Sequence, residues 1–169
     1  SIIITALILT FCGCGYCRKN ISESNINQNE ELTENSSDAA GMEGLIAKYY
    51  DTGAVKSEVN YKNGLKEGLA KYFYRNGKLQ AEMNYISDKR DGVVRYYSDE
   101  GKLQIEYTYI NDKKEGIAKH YVDSNGPVFM SSYKNDKRSG EAIMDYGQEL
   151  FKISNYADGQ LEGDVKTYI

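Results

Sequence analysis

The chain has no tryptophan, one histidine, one proline and three cysteines, and every cysteine falls before residue 18. A single histidine excludes chemistry built on a histidine pair and any multi-histidine metal site. With no cysteine after Cys17, no disulfide can staple the body of the protein. A surplus of positive charge is missing too: the formal net charge is -4, which argues against a nucleic-acid binder. That imbalance is local. Arg18 to Glu43 holds two basic and six acidic residues, and the remainder of the chain holds 19 of each, so its body is neutral and exerts no strong long-range steering toward DNA or anionic lipid. What is abundant is tyrosine, 16 residues in 169, beside 16 glycines. Tyrosine suits a pleated, half-buried surface and proline interrupts ladders, so this balance points to strands in a chain of about one domain.

The longest apolar stretch, Ile2 to Phe11 (I-I-I-T-A-L-I-L-T-F), is too short to span a bilayer as a helix and fits the apolar core of an export signal. Cys12, Cys14 and Cys17 follow at once. Gly13-Cys14 after the apolar run resembles a bacterial lipobox, which implies lipidation at Cys14; bulky Phe11 makes Cys12 the poorer candidate. Simple signal cleavage or a membrane anchor is the alternative. Cys14-x-x-Cys17 as a metal or redox pair lacks the second ligand pair that zinc requires. Residues 18–43 are polar, acidic and free of aromatics, a composition that cannot offset ordering entropy. The expected organisation is an export or lipobox region at 1–17, a flexible linker at 18–43 and a folded domain at 44–169. The expected location is exported, membrane-anchored or periplasmic, or on the surface of a bacterium.

The folded part is periodic. Gly44, Gly68, Gly92, Gly116 and Gly140 recur every 24 residues, and Gly163 follows after 23. Tyr61, Tyr85, Tyr109 and Tyr133 lie 17 residues after their glycines, and Tyr156 lies 16 after Gly140. An inner turn is marked by Gly53, Asn76-Gly77, Gly101 and Asn125-Gly126, and an outer turn by Asn63-Gly64, Ser87-Asp88, Asn111-Asp112, Asn135-Asp136 and Asp158-Gly159. Asn-Gly is the strongest short hairpin signal, which places a type I′ turn at the inner site. Each unit then reads as a β-hairpin, with Leu69–Tyr74 as one strand and Leu79–Tyr85 as the next. Alternation puts Tyr72 and Tyr74 on one face and Phe73 on the other. The unit glycines are expected where a sharp turn, or a ring packed on the backbone, leaves no room for a Cβ. The fold class is all-β: an elongated sheet of consecutive antiparallel hairpins, about five and a half units long.

The pattern Gly-x-x-x-x-Tyr-Tyr/Phe-x-x-Gly-x-Leu, closed by Tyr-x-Asn/Asp-Gly/Asp-x-x-x-Gly, resembles the MORN repeat (membrane occupation and recognition nexus) in its bacterial variant, from Gly44 to Ile169. It departs in lacking tryptophan and in the compressed inner turn at Tyr146-Gly147. The resemblance implies binding or scaffolding. Similar bacterial proteins include antitoxin components and exported lipoproteins, and plant phosphoinositide kinases carry related repeats beside their catalytic domain.

No motif supports catalysis. His120 aligns with Tyr72 and Tyr96 and reads as a ring substituting for a ring, with no nucleophile motif beside it. Glu58, Glu82 and Glu106 share a register about 10 Å apart, but the repeat generates that ladder and gives its members equivalent surroundings. No phosphate-binding loop or kinase motif set is present. Lys71, Arg95 and Lys119 form a basic register that could meet lipid headgroups, weakened by the acids nearby. The favoured binding surface is aromatic: Tyr50, Tyr72, Tyr74, Tyr96, Tyr97, His120 and Tyr121. The sequence therefore reads as a non-enzymatic scaffold with no cofactor, an unknown protein partner, no nucleic acid, possible membrane anchoring through an N-terminal lipid, and an edge strand open to self-association. The alternatives are an immunity protein against a toxin and a phospholipid-binding module.

Overall fold

A computed structural model describes residues 41–123, 126–146 and 151–169. All its regular structure is strand. The strands are β1 Gly44–Tyr49, β2 Val55–Lys62, β3 Leu65–Phe73, β4 Leu79–Ile86, β5 Lys89–Arg90, β6 Gly92–Tyr97 and β7 Leu103–Ile110. They continue as β8 Lys113–Lys114, β9 Gly116–Asp123, β10 Gly126–Lys134, β11 Lys137–Asp145, β12 Phe151–Ala157 and β13 Gln160–Tyr168. One open antiparallel sheet takes the long strands in chain order, β1-β2-β3-β4-β6-β7-β9-β10-β11-β12-β13, while β5 pairs with β4 and β8 with β7.

The expected period sets the register. Each unit glycine faces the tyrosine of its own hairpin: Gly44 Tyr61, Gly68 Tyr85, Gly92 Tyr109, Gly116 Tyr133 and Gly140 Tyr156. These glycines are required by backbone conformation. Gly92 has φ +104° and the nearest atom to a Cβ built there is Asn84 Cβ at 3.9 Å, while a Cβ at Gly68 would meet nothing within 4 Å. The expectation that a ring or backbone crowds them is therefore corrected: positive φ is the constraint. It bulges the strand. Asn60 is passed by Glu67, Gly68 and Leu69 between the Val59–Ala70 and Tyr61–Lys66 pairs.

The turns exchange the roles expected of them. Both central residues have positive φ at the outer turns, as at Asn111 (51°) and Asp112 (69°), which is the type I′ signature. At the first three inner turns only the glycine does, at Gly53, Gly77 and Gly101. Gly77 N–H donates to Tyr74 O and Tyr74 N–H to Lys78 O, a three-residue loop closed by a left-handed glycine. The Asn76-Gly77 pair thus marks the longer loop.

Small residues alternate with rings on one face of the sheet. Ala81 faces Tyr72 on one side and Tyr96 on the other. Val59, Ala70, Ala81, Val94, Ile105, Ala118 and Ala142 are all buried on this face. Tyr107 holds its centre, edge-on to Tyr96, Tyr109, His120 and Tyr133 at centroid distances of 5.8 to 6.5 Å. The opposite face is open.

Candidate functional site

Three kinds of slot, each repeating every 24 residues, organise the surface around this sheet. The first is cationic. Lys66, Arg90, Lys114 and Arg138 each follow an outer turn and lie over the tyrosine of the following hairpin. Lys66 Nζ is 5.3 Å from the Tyr85 centroid, the Arg90 guanidinium 4.1 Å from Tyr109, Lys114 Nζ 5.4 Å from Tyr133 and the Arg138 guanidinium 5.3 Å from Tyr156. These rings are cation–π partners. Burial disfavours the Arg90 charge, but the hydrogen bond to Asp112 Oδ1 at 2.6 Å and neighbouring Tyr109 hold its pKa above the usual value. Burial also drives Tyr109 well above an ordinary tyrosine.

The second slot is acidic and stitches the outer turns together. Glu67, Asp91 and Glu115 accept hydrogen bonds from Ser87, Asn111 and Asn135 N–H, and Glu43 does so from Asn63 N–H. Asp88, Asp112 and Asp136 accept from Lys66, Arg90 and Lys114 N–H. On the inner side the third slot is a tyrosine latch: Tyr50 OH donates to Phe73 O, and Tyr74 OH to Tyr97 O, both at 2.7 Å. The next position is Ser98, whose Oγ accepts from Glu100 and Lys102 N–H within its own loop.

The open face carries a row of directly opposed residues, one per strand. Glu58 faces Lys71, Lys71 Glu82, Glu82 Arg95, Arg95 Glu106 and Glu106 Lys119. Arg95 bridges Glu82 at 3.1 Å and Glu106 at 2.8 Å, and Lys119 reaches Glu106 at 3.4 Å. Tyr97 OH donates to Glu82 and Tyr121 OH to Glu106. Burial raises Glu106, but Arg95, Tyr121 and Lys119 together hold its carboxyl below the ordinary range. Burial and the Glu82 carboxylate push Tyr97 up to about 12. Beyond Lys119 the same row becomes Met130, Ile143 and Ile153, all half-buried, and then Lys166. Beside it Phe151 and Tyr168 stack at 4.9 Å.

The residues expected to form one aromatic surface are divided among three places. Tyr72, Tyr96 and His120 belong to the buried face, where His120 is 5% exposed and packs edge-on to Tyr107 and Phe129. Tyr97 and Tyr121 belong to the open face, beside the charged row. Tyr50 and Tyr74 are latches in the inner loops, so Tyr74 does not continue the strand face of Tyr72. The basic register Lys71, Arg95 and Lys119 and the acidic register Glu58, Glu82 and Glu106 interleave as one alternating row, and neither stands as a stripe of one sign. The 24-residue phase that reveals the unit glycines also reveals the cation and acid slots, which the sequence reading passed over. Cys14, the export region 1–17 and residues 18–40 of the linker lie outside the described residues. Among the described residues, no group of three His, Cys, Asp or Glu side chains is placed to hold a metal ion, and no helix is long and apolar enough to cross a membrane.

Residues 42–63, 66–87 and 90–111 match the MORN repeat variant, three consecutive copies in phase with Gly44, Gly68 and Gly92. No curated protein matches the chain. The later hairpins keep the same glycine–tyrosine register, Gly116 facing Tyr133 and Gly140 facing Tyr156.

Proposed function

We propose that the chain is a non-catalytic repeat scaffold that holds a partner protein against the open face of its last two hairpins. The observation that carries this reading is the replacement of the charged row by Met130, Ile143 and Ile153. Units whose open face is a satisfied ion-pair network offer a partner little, because exposed pairs contribute only about 0–1 kcal/mol. A half-buried apolar strip rimmed by polar residues marks a contact site. The alternating signs along most of the row disfavour anionic lipid as the ligand, since Lys71, Arg95 and Lys119 each have an acid beside them. Partner capture from host extract, followed by comparison of Ile143→Ser/Ile153→Ser with Glu58→Gln, tests the proposal. Loss of the partner in the first variant and retention in the second is expected; retention in both removes this face from the binding site. Rescue of growth from a co-expressed toxin would give the scaffold the role of an immunity protein.

Attachment to the cell envelope through Cys14 belongs to the same proposal and is supported by the apolar run Ile2–Phe11 followed by Gly13-Cys14. Cys14→Ser is expected to move the protein from the membrane to the soluble fraction, and unchanged fractionation would discard the lipid anchor.

A further inference from the structure

The charged row states what each of its positions requires, and it stops short of meeting that requirement at two of them. Arg95 sits between two acids, Glu82 and Glu106. Lys119 has Glu106 on one side and Met130 on the other. Lys166, two slots beyond Ile143, has Ile153 as its row neighbour. By phase, Met130 and Ile153 occupy the carboxylate slots filled by Glu58, Glu82 and Glu106 in the first three units. The row thus ends as Lys119-Met130-Ile143-Ile153-Lys166: three apolar side chains bracketed by two ammonium groups, each lacking a carboxylate on the apolar side.

We infer that this strip takes an extended acidic segment of the partner, with a carboxylate at each end and apolar side chains between. The inference rests on the open-face reading above and adds the chemistry of the occupant. Lys119 and Lys166 stand four strand steps apart, about 19 Å. An extended peptide advances ~3.3 Å per residue and presents alternate side chains to one side. An acid, two apolar residues and a second acid at alternate positions of a heptapeptide therefore span about 20 Å. Laid across the strands, such a segment puts its carboxylates near the two ammonium groups and its apolar side chains on Met130, Ile143 and Ile153. Glu141 and Asp145, two residues to either side of Ile143 along β11, and Asp164, two from Lys166, flank the strip with negative charge and disfavour displacement of an acidic segment from the row.

The probe is acetyl-Glu-Ser-Leu-Ser-Leu-Ser-Glu-amide, with a second peptide carrying glutamine at both ends. Wild-type protein is expected to bind the glutamate-ended peptide about tenfold more tightly, with affinity falling as salt rises. Met130→Glu with Ile153→Glu gives Lys119 and Lys166 each an internal carboxylate neighbour while leaving Ile143 in place. It is expected to lose about tenfold in affinity for that peptide and to melt no lower than wild type. Lys166→Gln, at an exposed position, is expected to weaken binding without altering the melt. Equal binding of the two peptides, no binding of the glutamate-ended peptide at millimolar concentration, or unchanged affinity in both variants would overturn the inference. Partner capture that depends on Ile143 and Ile153 while neither peptide binds would overturn it too, yet leave the open-face scaffold intact.

Discussion

At the scale of single residues, backbone and charge set separate constraints. Gly92 has room for a side chain but not the conformation for one. Gly92→Ala is expected to cost about 1–2 kcal/mol in denaturant unfolding, from the left-handed strain of an L-residue, and Gly92→Val more because it is β-branched. If Gly92→Ala melts with wild type, positive φ is not what the position requires. Tyr107 is the hub of the buried rings, and Tyr107→Ala is expected to destabilise by ~3–5 kcal/mol through the cavity it leaves. Glu106 carries the acid response. Its carboxyl titrates below the ordinary 4.5 in the folded protein, so its contribution is present above that pH and is lost as pH falls through the lower folded value. Glu106→Gln should lower the melting temperature near neutrality and flatten the decline below the ordinary value; an unchanged acid limb would show that the Arg95 and Lys119 contacts do not act on it. These ring and charge partners were hard to read from the chain, because strand parity is reset at each bulge. The register shifts between Tyr72 and Phe73, so alternation alone could not separate Tyr72 from Tyr74.

At the scale of the hairpin, the period made the fold legible. Glycine and tyrosine 17 residues apart, or 16 in the fifth unit, face one another in each of the five hairpins, and turn chemistry placed both ends of each strand. What the pattern left ambiguous was which turn is the tight one. Asn-Gly occurs at Asn63-Gly64 in an outer turn and at Asn76-Gly77 in an inner one, and the two differ in loop length, which neighbouring hydrogen bonds decide. The candidate binding strip was legible only in part. Met130, Ile143 and Ile153 stand out only once the row they interrupt is known, and that row is built from registers across six strands. The hairpin scale also predicts a gain. Ser98 occupies the slot of Tyr50 and Tyr74, so Ser98→Tyr should let the phenol donate to Tyr121 O as Tyr74 donates to Tyr97 O. The new bond contributes about 0.5–1.5 kcal/mol against loss of the two long, exposed bonds that Ser98 Oγ accepts, so a small rise in melting temperature is expected; a lower melt would mean the third inner loop cannot accept the ring.

At the scale of the whole sheet, each unit touches only its neighbours, so stability is close to a sum of unit and interface contributions. Removal of residues 68–91, one full period, joins Glu67 to Gly92 and restores the acid–glycine junction that begins each of the first four units. That shortened protein is expected to fold with the same strand signature and a lower melt, whereas removal of twelve residues should abolish cooperative unfolding; circular dichroism on both separates the cases. The outermost strand, β13, is exposed along its length, and a sheet edge of this kind is blunted here by Gly163 at positive φ and by Asp164 and Lys166. The alternation of opposed side chains has a last consequence. Because hidden and displayed positions occupy different residues of the same strand, the display side can diversify by point substitution while the hidden side stays fixed. Selection could in this way assign each hairpin a new ligand without rebuilding the ribbon that carries it.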